Sequence, residues 1–468
     1  MNNKAKTPIP VKDQIMCLFV KRRIPAFACF LVLACFLSCQ NQQEQAQITF
    51  KHDYEIAMLW GEMALDLTQH TPGNSPTFAS RAFGYFGLTM YESVVHGNEH
   101  KRSLASQLNG LEQLPSPERN TSYNWKISLN AGQAFILKNI YQQASEEYVY
   151  KIDSLCELVL HSLSKDEERE VIERSVDFGQ RIANSIFEWS MDDGGHRGYL
   201  KNFDTNMQQK AGQGHWRPPF FAQTISRLPL HPYWGENRTF LSANAEWAVP
   251  AFLPYDTLVE SDYYQTFYEV YESNTQLTQE EKEIAMWWND DPTDTFTPPG
   301  HSYYLVNLVL EQKKPDLVTA AETYARVGMA VADAFTVCWR MKYHYYSERP
   351  STYVFENIDD EWEPFWPDPP FPAFPSGHAT QAGAVATVFA GLYGDEISFV
   401  DNAHSGRKRD KLRNVDYKER SFNSFWEVAV ETAYSRFLGG IHAQIDNEVG
   451  LEEGRKVGNH INALKWDK

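Results

Sequence analysis

Apolar residues recur at three- and four-residue spacing along most of the chain, and strand-like alternation is scarce. Ile172, Val176, Gly179, Ile182, Ala183, Ile186 and Phe187 mark one helix, and Ser164 with Glu167 has the spacing of a capping box ahead of it. Thr278 and Glu281 give a second such start before Ile284, Ala285 and Trp288. Further helical stripes run through Val327, Val331, Ala334, Cys338, Lys342 and Tyr345, then Ala382, Val385, Ala386, Phe389 and Ala390, then Phe425, Ala429, Ala433 and Arg436. Between about Gly194 and Tyr255 glycine, proline and aromatic residues accumulate, which predicts long loops laid over helices. Helical periodicity on both sides of this middle predicts an all-α protein of two four-helix bundles, one over about 53–255 and one over about 278–465.

The first residues break this pattern. Lys12, Lys21, Arg22 and Arg23 precede an apolar run from Ile24 to Leu37, which ends at Ser38-Cys39. That order reads as a signal segment over 1–39 with Cys39 as the lipidated residue, and Met16 is an alternative start. The run falls short of the roughly 20 apolar residues that span a bilayer. A polar, Gln-rich linker over 40–52 then leads into a single helical domain, 53–468. The expectation is an exported periplasmic or outer-membrane lipoprotein of a Gram-negative bacterium, touching membrane only through its leader or lipid. The net charge of -18 excludes a nucleic-acid backbone as partner. Four of the six cysteines lie in the leader, so Cys156 and Cys338 alone can build neither a disulfide framework nor a thiolate metal site.

Candidate chemistry gathers in the last third. Lys342 sits on an apolar helical stripe, where a cation needs an anionic partner. Arg349 precedes Pro350, which favours an extended conformation that leaves the helix. Pro375-Ser376-Gly377-His378 opens the next stripe, placing a hydroxyl, a side-chain-free amide and an imidazole at a helix N-terminus, a natural anion site. Arg436 projects from another apolar face, Gly439-Gly440 break that helix, and His442 and Asp446 have the spacing of one face of the next. Three cations, a helix N-terminus, a hydroxyl and two histidines describe a pocket for a tetrahedral or trigonal oxyanion, phosphate or vanadate.

The order Lys-x6-Arg-Pro, Pro-Ser-Gly-His, Ser-Arg-x5-His-x3-Asp, from Lys342 to Asp446, resembles the signature shared by vanadium-dependent haloperoxidases and type 2 phosphatidic acid phosphatases. Trp339 before Lys342, Pro370-Phe371-Pro372-Ala373-Phe374 before Pro375, and the segments Gly214-His215-Trp216-Arg217-Pro218, Pro232-Tyr233-Trp234-Gly235 and Thr297-Pro298-Pro299-Gly300-His301 are similar to bacterial haloperoxidases. The resemblance implies the two-bundle fold of vanadium haloperoxidases and acid phosphatases, with vanadate as cofactor. It implies that His442 bonds the metal and that Lys342, Arg349, Ser376, Gly377, His378 and Arg436 bind the cofactor. It also implies that His378 and Lys342 are catalytic, that Trp339, Phe371 and Asp446 flank the site or halide pocket, and that hydrogen peroxide and a halide react to hypohalous acid, which organic acceptors consume. The competing enzyme is a phosphatase with His442 as nucleophile. Phe371, five residues before Ser376, stands where the family's algal bromoperoxidases carry histidine, and iodide is the expected halide. Asp290, Asp291 and Asp294 could bind calcium but lack a ligand-loop pattern and read as a polar loop, His301 as a surface, capping or halide-channel residue, and Arg407–Lys411 as a solvated insert.

Overall fold

The computed structural model describes residues 48–246 and 250–468; the leader with Cys39, and the linker as far as Gln47, lie outside the described residues. Thirteen α-helices and two strands are described. The helices are α1 (Glu55–His70), α2 (Pro76–Glu92), α3 (Trp125–Ile140), α4 (Glu146–Leu163), α5 (Arg169–Ser190), α6 (Asp262–Thr275) and α7 (Gln279–Trp287). They continue as α8 (Thr297–Lys313), α9 (Leu317–Tyr345), α10 (Pro350–Asn357), α11 (Gly377–Tyr393), α12 (Phe425–Leu438) and α13 (Gln444–Asn462). The described residues of the 194–255 region form short 3-10 turns, isolated bridges and loop, as the composition predicts. None of the described helices is long and apolar enough to cross a membrane.

Thr278 and Glu281 do form a capping box at the start of α7. Ser164 does not form one. Its hydroxyl bonds back to the Leu160 carbonyl at 2.6 Å and closes α4, while the Glu167 carboxylate takes the Asn124 side-chain amide at 2.9 Å. α5 therefore starts later, and its buried stripe is Val171, Ser175, Phe178, Gly179, Ile182, Ala183 and Ile186. The antiparallel strands β1 (Glu396–Asp401) and β2 (Arg420–Ser424) escape sequence reading, being too short for a pattern to show. Lys408, Arg409 and Lys411 in the excursion between them are exposed, as expected of a solvated insert, but Arg407 covers the Tyr417 ring at 4.2 Å and His404 is buried.

α9 is the central rod. It is buried continuously from Ala320 to Trp339, packing on α2 along one side and on α11 and α13 along another. α8 comes from the C-terminal stretch yet packs on α1 and α2, and one apolar core runs through helices from both stretches, so packing crosses the expected division. Small residues set the closest crossings. A Cβ on Gly87 would meet the Tyr324 carbonyl oxygen at 2.3 Å, and one on Gly454 would meet the Thr380 carbonyl oxygen at 2.1 Å. The second crossing seats α13 under the first turns of α11, where the anion motif begins. Gly454→Ala is accordingly expected to cost about 1–3 kcal/mol or more by overpacking, read by chemical denaturation. Glu452→Ala on the exposed side of α13 should stay within about 0.5 kcal/mol of wild type.

Candidate anion site

The final turn of α9 carries Lys342, which is fully buried. Its ammonium donates to the carbonyls of Pro372 at 2.9 Å and Ala373 at 2.6 Å. Tyr346 ends the helix in the left-handed region at φ 55. The chain then reaches Arg349, extended at φ -87 and ψ 156 ahead of Pro350, as the X-Pro rule requires. The buried Arg349 guanidinium donates to the Phe371 carbonyl at 2.9 Å and the Ile441 carbonyl at 2.8 Å. Arg436, near the end of α12, donates to the Trp288 carbonyl at 2.8 Å and lies over the Trp366 ring at 4.0 Å, leaving its Nε without a partner. None of these three cations forms an ion pair with a carboxylate among the described residues. A buried charge held only by neutral carbonyls costs several kcal/mol, so the cluster is electrostatically incomplete without an anion.

Ser376 is the N-cap of α11, its hydroxyl accepting the Ala379 amide, and Gly377 and His378 begin the helix. The first amides of a helix have no acceptor within it and attract negative charge. A Cβ on Gly377 would approach nothing closer than 3.5 Å, from Trp339, so the neighbouring protein does not demand glycine there and the open side faces the pocket. His378 is half-buried, with a sealed Nε2 that has no hydrogen-bond partner. Burial, reinforced by Arg436 and Lys342, pushes its pKa well below the ordinary histidine value, which keeps the ring neutral.

His442 departs from expectation in its location. It stands in the loop before α13, because Gly439 caps α12 and Gly440, at φ 73, turns the chain before the next helix can form. Asp446 in the first turn of α13 nonetheless reaches back, its Oδ2 lying 2.8 Å from His442 Nδ1. His442 Nε2 lies 3.1 Å from an Arg349 Nη1 that can only donate. The ring therefore carries its proton on Nδ1, toward Asp446, and presents an Nε2 lone pair to the cationic cluster. Burial beside Arg349 and Lys342 pushes the His442 pKa well down, preserving that lone pair. Burial also lowers the Lys342 pKa and raises that of Asp446, the usual directions for desolvated charges.

A cavity of about 570 Å³ opens onto these groups, with Trp339, Phe371, Gly377, His378, Arg436 and His442 in its lining. Trp339 and Phe371 form an aromatic wall, ring centres 4.9 Å apart, and the Lys342 ammonium lies 5.1 Å from the Phe371 centroid. The Trp339 indole N–H donates to the Leu230 carbonyl at 3.3 Å, so the ring serves as wall and not as an anion donor. The structure thus brings every sequence-derived site residue to one pocket or directly behind it.

Two readings of the sequence are corrected. Asp290 is buried, not a solvated loop acid, and His301 is buried at 2% exposure, not a surface residue. His301 lies between Asp290 and Asp401, at 2.8 Å from each. Neither Asp401 nor His404 was singled out by sequence reading, since no periodicity or motif links them to residues a hundred or more positions away.

Buried cations, a helix N-terminus and an imidazole lone pair converging on one pocket form an arrangement suited to an oxyanion. Comparison with known proteins narrows the reading. Residues 322–465 match the family model of the second helical-bundle domain of vanadium chloroperoxidase. The vanadium chloroperoxidase of Curvularia inaequalis is 26% identical over 215 residues, a stretch spanning 35% of this chain and 35% of the length of that relative. Among solved structures, a bacterial vanadium-dependent iodoperoxidase superposes with a TM-score of 0.75 at 27% identity, covering 89% of this chain and 97% of that one. A bacterial vanadium-dependent chloroperoxidase in its holo form shares the fold, with a TM-score of 0.64 at 15% identity over 89% of this chain and 98% of that one. The matched segment and these likenesses support a relationship to the vanadium haloperoxidase family.

Proposed function

We propose that this chain is a vanadium-dependent haloperoxidase that oxidises halide, iodide foremost, with hydrogen peroxide. The carrying observation is the set of three buried cations with no carboxylate partner among the described residues, bonded to backbone carbonyls and, through Arg349, to the lone pair of His442. Their donor chemistry fits vanadate. Lys342, Arg349, Arg436, Ser376 and the Gly377 amide would hold its oxygens, and His442 Nε2 would supply the metal bond. Bound vanadate supplies Lewis-acid activation of peroxide without a change of metal oxidation state.

The protein's own residues do the rest. Asp446 fixes the His442 tautomer. Lys342 and Arg349, anchored to the 371–373 carbonyls, hold positive charge where negative charge accumulates. His378, kept neutral, accepts a proton from hydrogen peroxide and returns it as the hypohalous acid and water leave, so that peroxide, halide and one proton balance the products. Trp339 and Phe371 keep that side of the pocket apolar, which suits a large, weakly hydrated halide. Hypohalous acid released to the cavity reacts with organic acceptors.

The assay is peroxide-dependent halide oxidation with and without added vanadate, run beside phosphate-ester hydrolysis. Iodide turnover that requires vanadate is expected, with bromide weak or absent and chloride none. Phosphate release without halide oxidation would support the phosphatase reading, with His442 as nucleophile. Phe371→His is expected to change the bromide-to-iodide turnover ratio, and an unchanged ratio would remove Phe371 from halide selection. We further infer an envelope lipoprotein from the leader. Cys39→Ala should abolish metabolic labelling by palmitate and release the chain from membranes, as fractionation would read.

A further inference from the structure

Behind the anion pocket lies a second cluster, assembled from three parts of the chain. Asp290 follows the end of α7, His301 sits in the first turns of α8, Asp401 ends β1 and His404 comes three residues later. His301 Nδ1 is 2.8 Å from Asp290 Oδ2, His301 Nε2 is 2.8 Å from Asp401 Oδ2, and His404 Nε2 is 2.9 Å from Asp290 Oδ1. Asp290, His301 and His404 are at most 3% exposed, and Asp401 is fully buried. The surroundings are aromatic. Trp288 stacks on His301 at 4.6 Å, Phe296 on His404 at 5.9 Å, and Trp287 meets His404 edge-on at 5.1 Å. Neither carboxylate pairs with a lysine or arginine among the described residues.

The bonding pattern asks for a cation. Asp401 is fixed as an acceptor by the Trp287 indole N–H at 2.7 Å and the Ala403 amide at 3.0 Å. It therefore favours a proton on His301 Nε2, while His301 Nδ1, facing the Asp290 carboxylate, is the nitrogen that exchanges its proton for a metal ion. A carboxylate on the far nitrogen of a metal-bound histidine is the usual way proteins orient such a ligand. The contact between His404 Nε2 and Asp290 Oδ1 is short but off the N–H direction, so neither atom gains a hydrogen bond. Ligand atoms around a tetrahedral zinc ion stand about 3.3–3.6 Å apart, given metal–ligand lengths of about 2.0–2.2 Å, and one ligand atom from each of Asp290, His301 and His404 lies within 4.8 Å of the others. Charge points the same way. Two carboxylates are neutralised by one divalent ion with both imidazoles neutral.

We propose that Asp290, His301 and His404 form a divalent-cation site of the zinc class, with Asp401 as the outer partner that orients His301. The two-nitrogen, one-carboxylate donor set suits zinc better than the oxygen-only preference of calcium or magnesium. A cavity of about 20 Å³, lined by Asp290, His301 and His378 among others, adjoins the cluster, enough for one water as a further ligand. Loading displaces to solvent the proton that otherwise occupies the His301–Asp290 contact. The ion ties α8 and the β1–β2 excursion to the segment after α7. That segment includes Trp288, whose carbonyl accepts from Arg436, so the site braces one wall of the anion pocket.

The test is elemental analysis of the purified chain, as isolated and after incubation with excess zinc chloride followed by desalting. One zinc per chain is expected in wild type and in His442→Ala, and less than about a tenth of that in His404→Ala and Asp290→Asn. A chelator should lower, and zinc restore, the melting temperature of wild type. Absence of stoichiometric zinc in wild type after incubation overturns the proposal, and this arm decides even if a variant fails to fold. Uptake unchanged in folded His404→Ala, or lost in His442→Ala, also overturns it, the latter because it would place the ion in the anion pocket.

Discussion

Replacing His442 by alanine is expected to abolish vanadate retention, weakening affinity by more than about 100-fold, the upper end of what losing a mere supporting partner costs. Nε2 of His442 is the one imidazole lone pair that the structure aims at the buried cations, and Asp446 and Arg349 leave it no other tautomer. Asp446→Ala removes the partner and keeps the ring, so its loss should lie within about 10- to 100-fold. Arg349, Lys342 and Arg436 remain in both variants, and residual binding would then be purely electrostatic and sensitive to ionic strength. Equilibrium dialysis against vanadate at low and high salt gives all three numbers. Wild-type affinity in His442→Ala would refute the assignment of the metal bond.

The legibility of this site in the sequence followed from periodicity. Lys342 could be placed because α9 is a 29-residue helix whose apolar stripe carries the lysine inward. Ser376 could be placed because an N-cap has a recognisable residue type in front of a helical run. Where local pattern competed with tertiary contacts, it misled. Ser164 looks like an N-cap but closes the preceding helix. His442 has the spacing of a helical partner of Asp446, yet the pair forms across a helix start, with the aspartate folding back. The cluster of Asp290, His301 and His404 is illegible for another reason. Its members come from a loop, a helix with proline at its start, and a turn beyond a short strand, and only the folded chain brings them together.

His378→Ala should separate binding from chemistry. In this variant the cationic cradle and the His442 lone pair are untouched, so vanadate affinity should remain within a few-fold of wild type. Turnover should fall by about 10²–10⁴-fold, the range for removing a positioned general base. The structural ground is specific. His378 Nε2 has no protein partner, and the ring is held neutral by burial and by nearby Arg436 and Lys342. A histidine serving only as packing would more often be satisfied by a neighbour, as His231 is through Gly198 at 2.9 Å. Because its pKa is depressed, the unliganded ring stays neutral as pH falls through 6.5, and proton acceptance by it should not fade at that point. The measurements are dialysis for affinity and steady-state iodide oxidation at saturating vanadate across pH. Parallel losses of affinity and turnover would make His378 a cofactor ligand instead of the proton acceptor, while wild-type turnover in His378→Ala would remove it from the reaction altogether.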